Sequence, residues 1–185
     1  RINYCSGTLD MTDIHISNIT AESTMRGLDV TFFGDVNINR LRIDHCYSPG
    51  FQSYDRSIVM QIAFPEDQQR LKINLSNSIF ADNYQGCSNF QMIVIISLND
   101  TLSIQNCTFT DNSGGSNTIT IWGNTYLKNN IFWNPEMPYE IQLYYSSIAG
   151  PCSLYLENND LRGGFAGIVN MSPFNTIIWG SGNVN

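Results

Sequence analysis

The sequence predicts an all-β chain folded as a parallel β-helix, a solenoid of about six coils forming one domain over residues 1–185. Three observations carry this. A short phrase, clearest in Leu102-Ser103-Ile104-Gln105-Asn106, recurs six times at intervals between 23 and 32 residues. Repeats on that scale belong to solenoids and propellers. Within each phrase apolar and polar residues alternate with period two, the signature of a strand with one buried face. Each period also holds a second apolar run, joined to the first by Gly, Asn, Ser and Pro.

The anchors that end the phrases read Asp13, His45, Asn77, Asn106, Asn129 and Asn158. Two residues before them the column is Met11, Ile43, Leu75, Ile104, Leu127, Leu156. Three after, it is Ile16, Ser48, Phe80, Phe109, Phe132, Leu161. These columns face inward, with Ser48 an exception. The columns between them face water. Stacked at the ~4.8 Å spacing of neighbouring strands, they bring Asp10 onto Arg42, Lys128 onto Glu157 and Tyr126 onto Tyr155. An Asx residue suits the corner because its short side chain bonds the backbone and tolerates unusual dihedrals. The second runs begin at Leu28, Ile58, Met92, Ile119, Ile141 and Gly167.

The phrases Ser103-Ile104-Gln105-Asn106-Cys107-Thr108-Phe109-Thr110-Asp111-Asn112 and Asn129-Asn130-Ile131-Phe132-Trp133-Asn134 resemble the I-x-N-C-x-F-x-x-N repeats of right-handed parallel β-helix proteins. The family is the secreted, surface-anchored bacterial group, related in shape to pectate lyases. The tail from Asn175 to Asn185 resembles that group's closing coil, without the Asp-Pro-Leu-Phe segment that usually follows. The resemblance implies a right-handed solenoid at the cell surface; its motifs concern shape and not chemistry. Neither end reads as a cap, so the chain is expected to be a processed form or a piece of a longer protein.

A net charge of −7 leaves no basic stripe for phosphates, which argues against nucleic acid. No apolar run is long enough to span a membrane. Only 14% of residues are charged, and the abundant Asn, Ser and Thr suit an extracellular protein or a glycan partner. The five cysteines, Cys5, Cys46, Cys87, Cys107 and Cys152, form no Cys-x-x-Cys pair. Cys46 and Cys107 share the column after the anchor and read as small buried thiols.

Three sets of residues are candidates for function. Asp82 and Asp111 occupy one column in adjacent coils, where their carboxylates could approach ~5 Å, suiting a retaining glycosidase or shared calcium. Turn capping is the preferred reading, since it explains them together with Asn18 and Asn134, which fill the same column. Tyr126 and Tyr155, with Trp133 around the corner, offer aromatic faces to sugar rings. Phe33, Val59, Ala63, Ile93 and Ile95 form an outward apolar strip where alternation fails, a surface for another protein chain. His15 and His45 have no nucleophile or metal partner at useful spacing, and no catalytic motif is present. The expected function is a non-catalytic extracellular scaffold for adhesion or glycan binding. The alternatives are a divergent polysaccharide lyase or hydrolase, and an assembly module using the apolar strip.

Overall fold

The computed structural model describes residues 2–21, 26–48, 58–63, 72–86, 91–145 and 150–185. It is a parallel β-solenoid of about five turns, against the six expected from the repeats, and among the described residues it has no α-helix and one 3-10 turn at Gly164–Gly167. Among the described residues every strand pair is parallel, and three faces repeat up the axis.

The first face stacks Leu28, Met60, Ile93, Ile119, Ile141 and Ile168 in one buried column. The second carries the recurring phrase, with Val36, Ile73, Leu102, Thr125 and Leu154 in register and Ile38, Leu75, Ile104, Leu127 and Leu156 beside them. Strands such as Arg26–Asn39 and Asn117–Lys128 run across both faces. The bend between them needs glycine at Gly34, where a Cβ would lie 1.7 Å from the Gly7 carbonyl oxygen.

The third face stacks His15–Ser17, Arg42–Asp44, Ile79–Ala81, Thr108–Thr110, Ile131–Trp133 and Asp160–Leu161. Its inner column is Ile16, Ile43, Phe80, Phe109, Phe132 and Leu161. The three rings lie face to face, 5.1 and 4.5 Å apart, each within 5° of parallel. All three are fully buried.

One anchor is corrected. Arg40, not His45, ends the second phrase: Val36 pairs with Ile73 and Ile38 with Leu75. Leu41–His45 imitates the phrase but belongs to the third face, where Ile43 lies opposite Phe80. The Ser48 exception disappears with the shift. So does the Asp10–Arg42 contact, because Asp10 meets Asn37, whose Nδ2 donates to Asp10 Oδ1 at 2.8 Å. Lys128 against Glu157 and Tyr126 against Tyr155 stand in register as expected. Cys46 and Cys107 consequently occupy different columns, though both thiols are buried and free.

The corners show why asparagine recurs. Asp13, Arg40, Asn77, Asn106, Asn129 and Asn158 all sit at φ between 51° and 58°. This left-handed region is one that Asn and Asp enter more readily than most residues. Just past these corners buried amides climb the axis. The Cys107 N–H donates to Asn130 Oδ1, the Asn130 N–H to Asn159 Oδ1 and the Asn159 N–H to Asn183 Oδ1, at 2.9–3.0 Å. A second ladder runs from the Cys46 N–H through Asn83, Asn112 and Asn134. It ends on Glu140, which accepts from Asn134, Thr118 and Arg162 while itself fully buried. Each amide gives corner backbone groups the partners that a buried turn would otherwise lack.

Candidate ligand-binding groove

On the outer side of the second face two columns flank a groove of about 640 Å³. One wall is Tyr126, Tyr155 and Ile178; the other is Gln105, Lys128 and Glu157. The floor is the strand backbone at Leu127 and Leu156, whose side chains point into the core. The groove follows from period-two alternation, which puts residues two apart on one face with an inward residue between them.

The tyrosine rings lie 4.5 Å apart and within 7° of parallel. Tyr126 is 45% exposed. Lys128 Nζ lies 3.1 Å from Glu157 Oε1, so the groove's ammonium is matched by a carboxylate. Gln105 Nε2 donates to Ser103 Oγ at 2.8 Å. The result is an aromatic wall facing hydroxyl, amide and a balanced ion pair. Such a surface suits a hydroxylated ring that presents a C–H face to an aromatic and its hydroxyls to polar groups.

The structure thus brings Tyr126 and Tyr155 together, but not Trp133. That side chain is 43% exposed on the third face, opposite Thr110, and does not line the groove. Asp82 and Asp111 stand at φ 53° and 54°, both exposed at the second corner. Their N–H groups donate to the carbonyls of Thr110 and Trp133 in the next coil. Asp111 also accepts from Thr110 Oγ1 and borders a small cavity of about 180 Å³ with Ser113 and Glu136. Asn134 does not share their conformation; it is buried, stacked against Asn112. Among the described residues no three His, Cys, Asp or Glu side chains converge as metal ligands.

The apolar strip needs correction at Ile93. Its backbone pairs with Met60 and Ile119, and its side chain is 0% exposed. The run Met92 to Ile96 offers no polar residue to fix the parity, and the neighbouring strands fix it with Ile93 inward. Ile95 pairs with Ile62 and Ile121. The side chains of Phe33, Val59, Ala63 and Ile95 lie outside the described residues.

One cluster escaped the sequence because of the displaced anchor. Asp44 is buried on the outer side of the third face and gathers His15 Nε2 at 3.2 Å, His45 Nδ1 at 3.4 Å and the Arg42 guanidinium. Burial pushes this carboxyl upward, but hydrogen bonds from Arg42, His15 and His45 outweigh it and hold it below the usual carboxylate range. The signal was available in Asn37 and Asn74, polar residues whose shared column places Arg42 opposite Ile79 and not Asp10.

Comparison with protein-family models, with characterised proteins and with solved structures finds no match to this chain. The functional reading therefore rests on the groove.

Proposed function

We propose that this protein is a non-catalytic, extracellular β-solenoid that binds glycan through the groove of the second face. The carrying observation is the stacked Tyr126–Tyr155 pair, with Tyr126 exposed and Tyr155 partly buried, set against polar, charge-balanced neighbours. A pair with that much apolar ring in water fits an amphipathic partner better than it fits a solvated surface. The resemblance of the repeats to secreted bacterial β-helix proteins agrees with this reading and adds a cell-surface setting.

The test is binding to a glycan array in calcium and in chelator. Saturable binding that is weakened in both Tyr126→Ala and Tyr155→Ala, with or without calcium, supports the reading. Calcium-dependent binding abolished by Asp82→Asn would move the site to the second corner and favour the lyase or hydrolase alternative. Absence of binding in both buffers would leave a scaffold without a sugar site.

A further inference from the structure

We infer that the groove binds one pyranose ring of a neutral oligosaccharide in the slot above Ser103, stacked on the open face of Tyr126, with the sugar chain running along Thr101, Ser103 and Gln105. This rests on the glycan reading above and names the subsite and the ligand's direction.

The argument starts from the column. Its outward residues are Asp10, Asn37, Asn74, Ser103, Tyr126, Tyr155 and Ile178, one per coil. Because Tyr126 and Tyr155 stack at 4.5 Å, close to the coil spacing, their ring planes lie across the solenoid axis. Each ring uses one face on the other. Of the two remaining faces, that of Tyr155 looks toward Ile178, which fills the next coil of the column. That of Tyr126 looks toward Ser103, whose hydroxymethyl group is too small to cover it. The next side chain, Asn74, stands two coils from Tyr126, or ~9.6 Å. The column is therefore missing one ring, and the gap is one ring thick with contact on either side.

The orientation follows. A ring stacked on Tyr126 lies across the axis, so its linked neighbours extend along the strand and not from coil to coil. Thr101 and Gln105 flank Ser103 on the same face and both line the groove. They supply a hydroxyl and an amide beside the neighbouring sugars. The charge of the ligand follows too. Lys128 is matched by Glu157, and the chain carries a net charge of −7, so an anionic uronate chain gains no partner and meets general repulsion.

The test is calorimetric titration of the full chain with cellohexaose, xylohexaose and N-acetylchitohexaose, using four variants. Ser103→Phe supplies the missing ring and should abolish binding while leaving the thermal midpoint equal or higher. Ser103→Ala keeps the slot and should bind within about threefold of the parent. Tyr126→Ala should weaken binding by about tenfold or more, the scale of a lost aromatic stacking partner. Tyr155→Ala, which only supports Tyr126 from behind, should weaken it less. Binding retained by a folded Ser103→Phe, or equal losses in the two tyrosine variants, would overturn the slot while leaving a glycan groove. No binding of the parent chain to any of the three probes would overturn both.

Discussion

Two of the aromatic stacks that run up this solenoid share nearly the same geometry. Phe109 and Phe132 lie 4.5 Å apart inside, and Tyr126 and Tyr155 lie 4.5 Å apart outside. The coil spacing imposes the distance on both, so stacking by itself carries no message about role. The difference lies in how the columns continue. The inner one is apolar throughout, from Ile16 to Leu161, because every position must fill the core. The outer one changes from carboxylate to amide to hydroxyl to ring to Ile178, and no single side-chain type is demanded of it. A side chain's place in its column, more than its contacts, separates what holds the fold from what is free to bind.

The largest expected effect comes from breaking the inner stack. Phe109→Ala removes a ring packed between two others and should cost about 3–5 kcal/mol in urea unfolding. A loss below ~1 kcal/mol would mean that the column tolerates gaps. Asn112→Ala comes next. It strips partners from the N–H and Nδ2 of Asn83 and from the Phe80 carbonyl, all buried, for about 3 kcal/mol.

Asp44→Ala should cost about 2 kcal/mol at neutral pH, since charged and polar donors are left without their acceptor. Its pH dependence has a definite sign. The folded pKa lies below the unfolded one, so the carboxylate stabilises fully above the ordinary aspartate range near ~3.9. That contribution is lost as pH falls through the lowered folded value. The stability gap between parent and Asp44→Ala should therefore close on acidification, measured by urea midpoints at stepped pH. A gap that widened toward acid would contradict the ion-pair account.

The outer stack should matter little to stability. Tyr126→Ala is expected to cost less than ~1 kcal/mol, the range of a cross-strand pair, while weakening glycan binding by about tenfold or more. Lys128→Ala should cost ~0.5 kcal/mol or less, as both its ends are half exposed.

Much of this was legible in the sequence where one column repeats a residue type. Phe80, Phe109 and Phe132 announced an inward column just after the anchors, and the asparagine anchors announced the corners. Tyr126 over Tyr155 and Lys128 over Glu157 followed from register alone. The second coil was misread because Leu41-Arg42-Ile43-Asp44 has the same alternation as the true phrase Val36-Asn37-Ile38-Asn39. Period two cannot separate consecutive strands of one coil. Ile93 was misplaced for a related reason: in an all-apolar run parity has no internal marker, and the flanking coils supply it. The buried ladder from Asn83 to Glu140 was hidden too, because a polar residue beside a corner looks like solvent-exposed turn chemistry until the partners above and below are known.

The account's central claim is that the outer column, and not the corners, meets the ligand. The most direct measurement is an NMR titration of the parent chain with cellohexaose, xylohexaose and N-acetylchitohexaose, following aromatic ring and backbone amide resonances. The account predicts saturable shifts centred on Tyr126, Ser103 and Gln105 with at least one probe, while Phe80, Phe109 and Phe132 hold still. Shifts centred instead on Asp82, Asp111 or Trp133, or no shift with any probe, would contradict it.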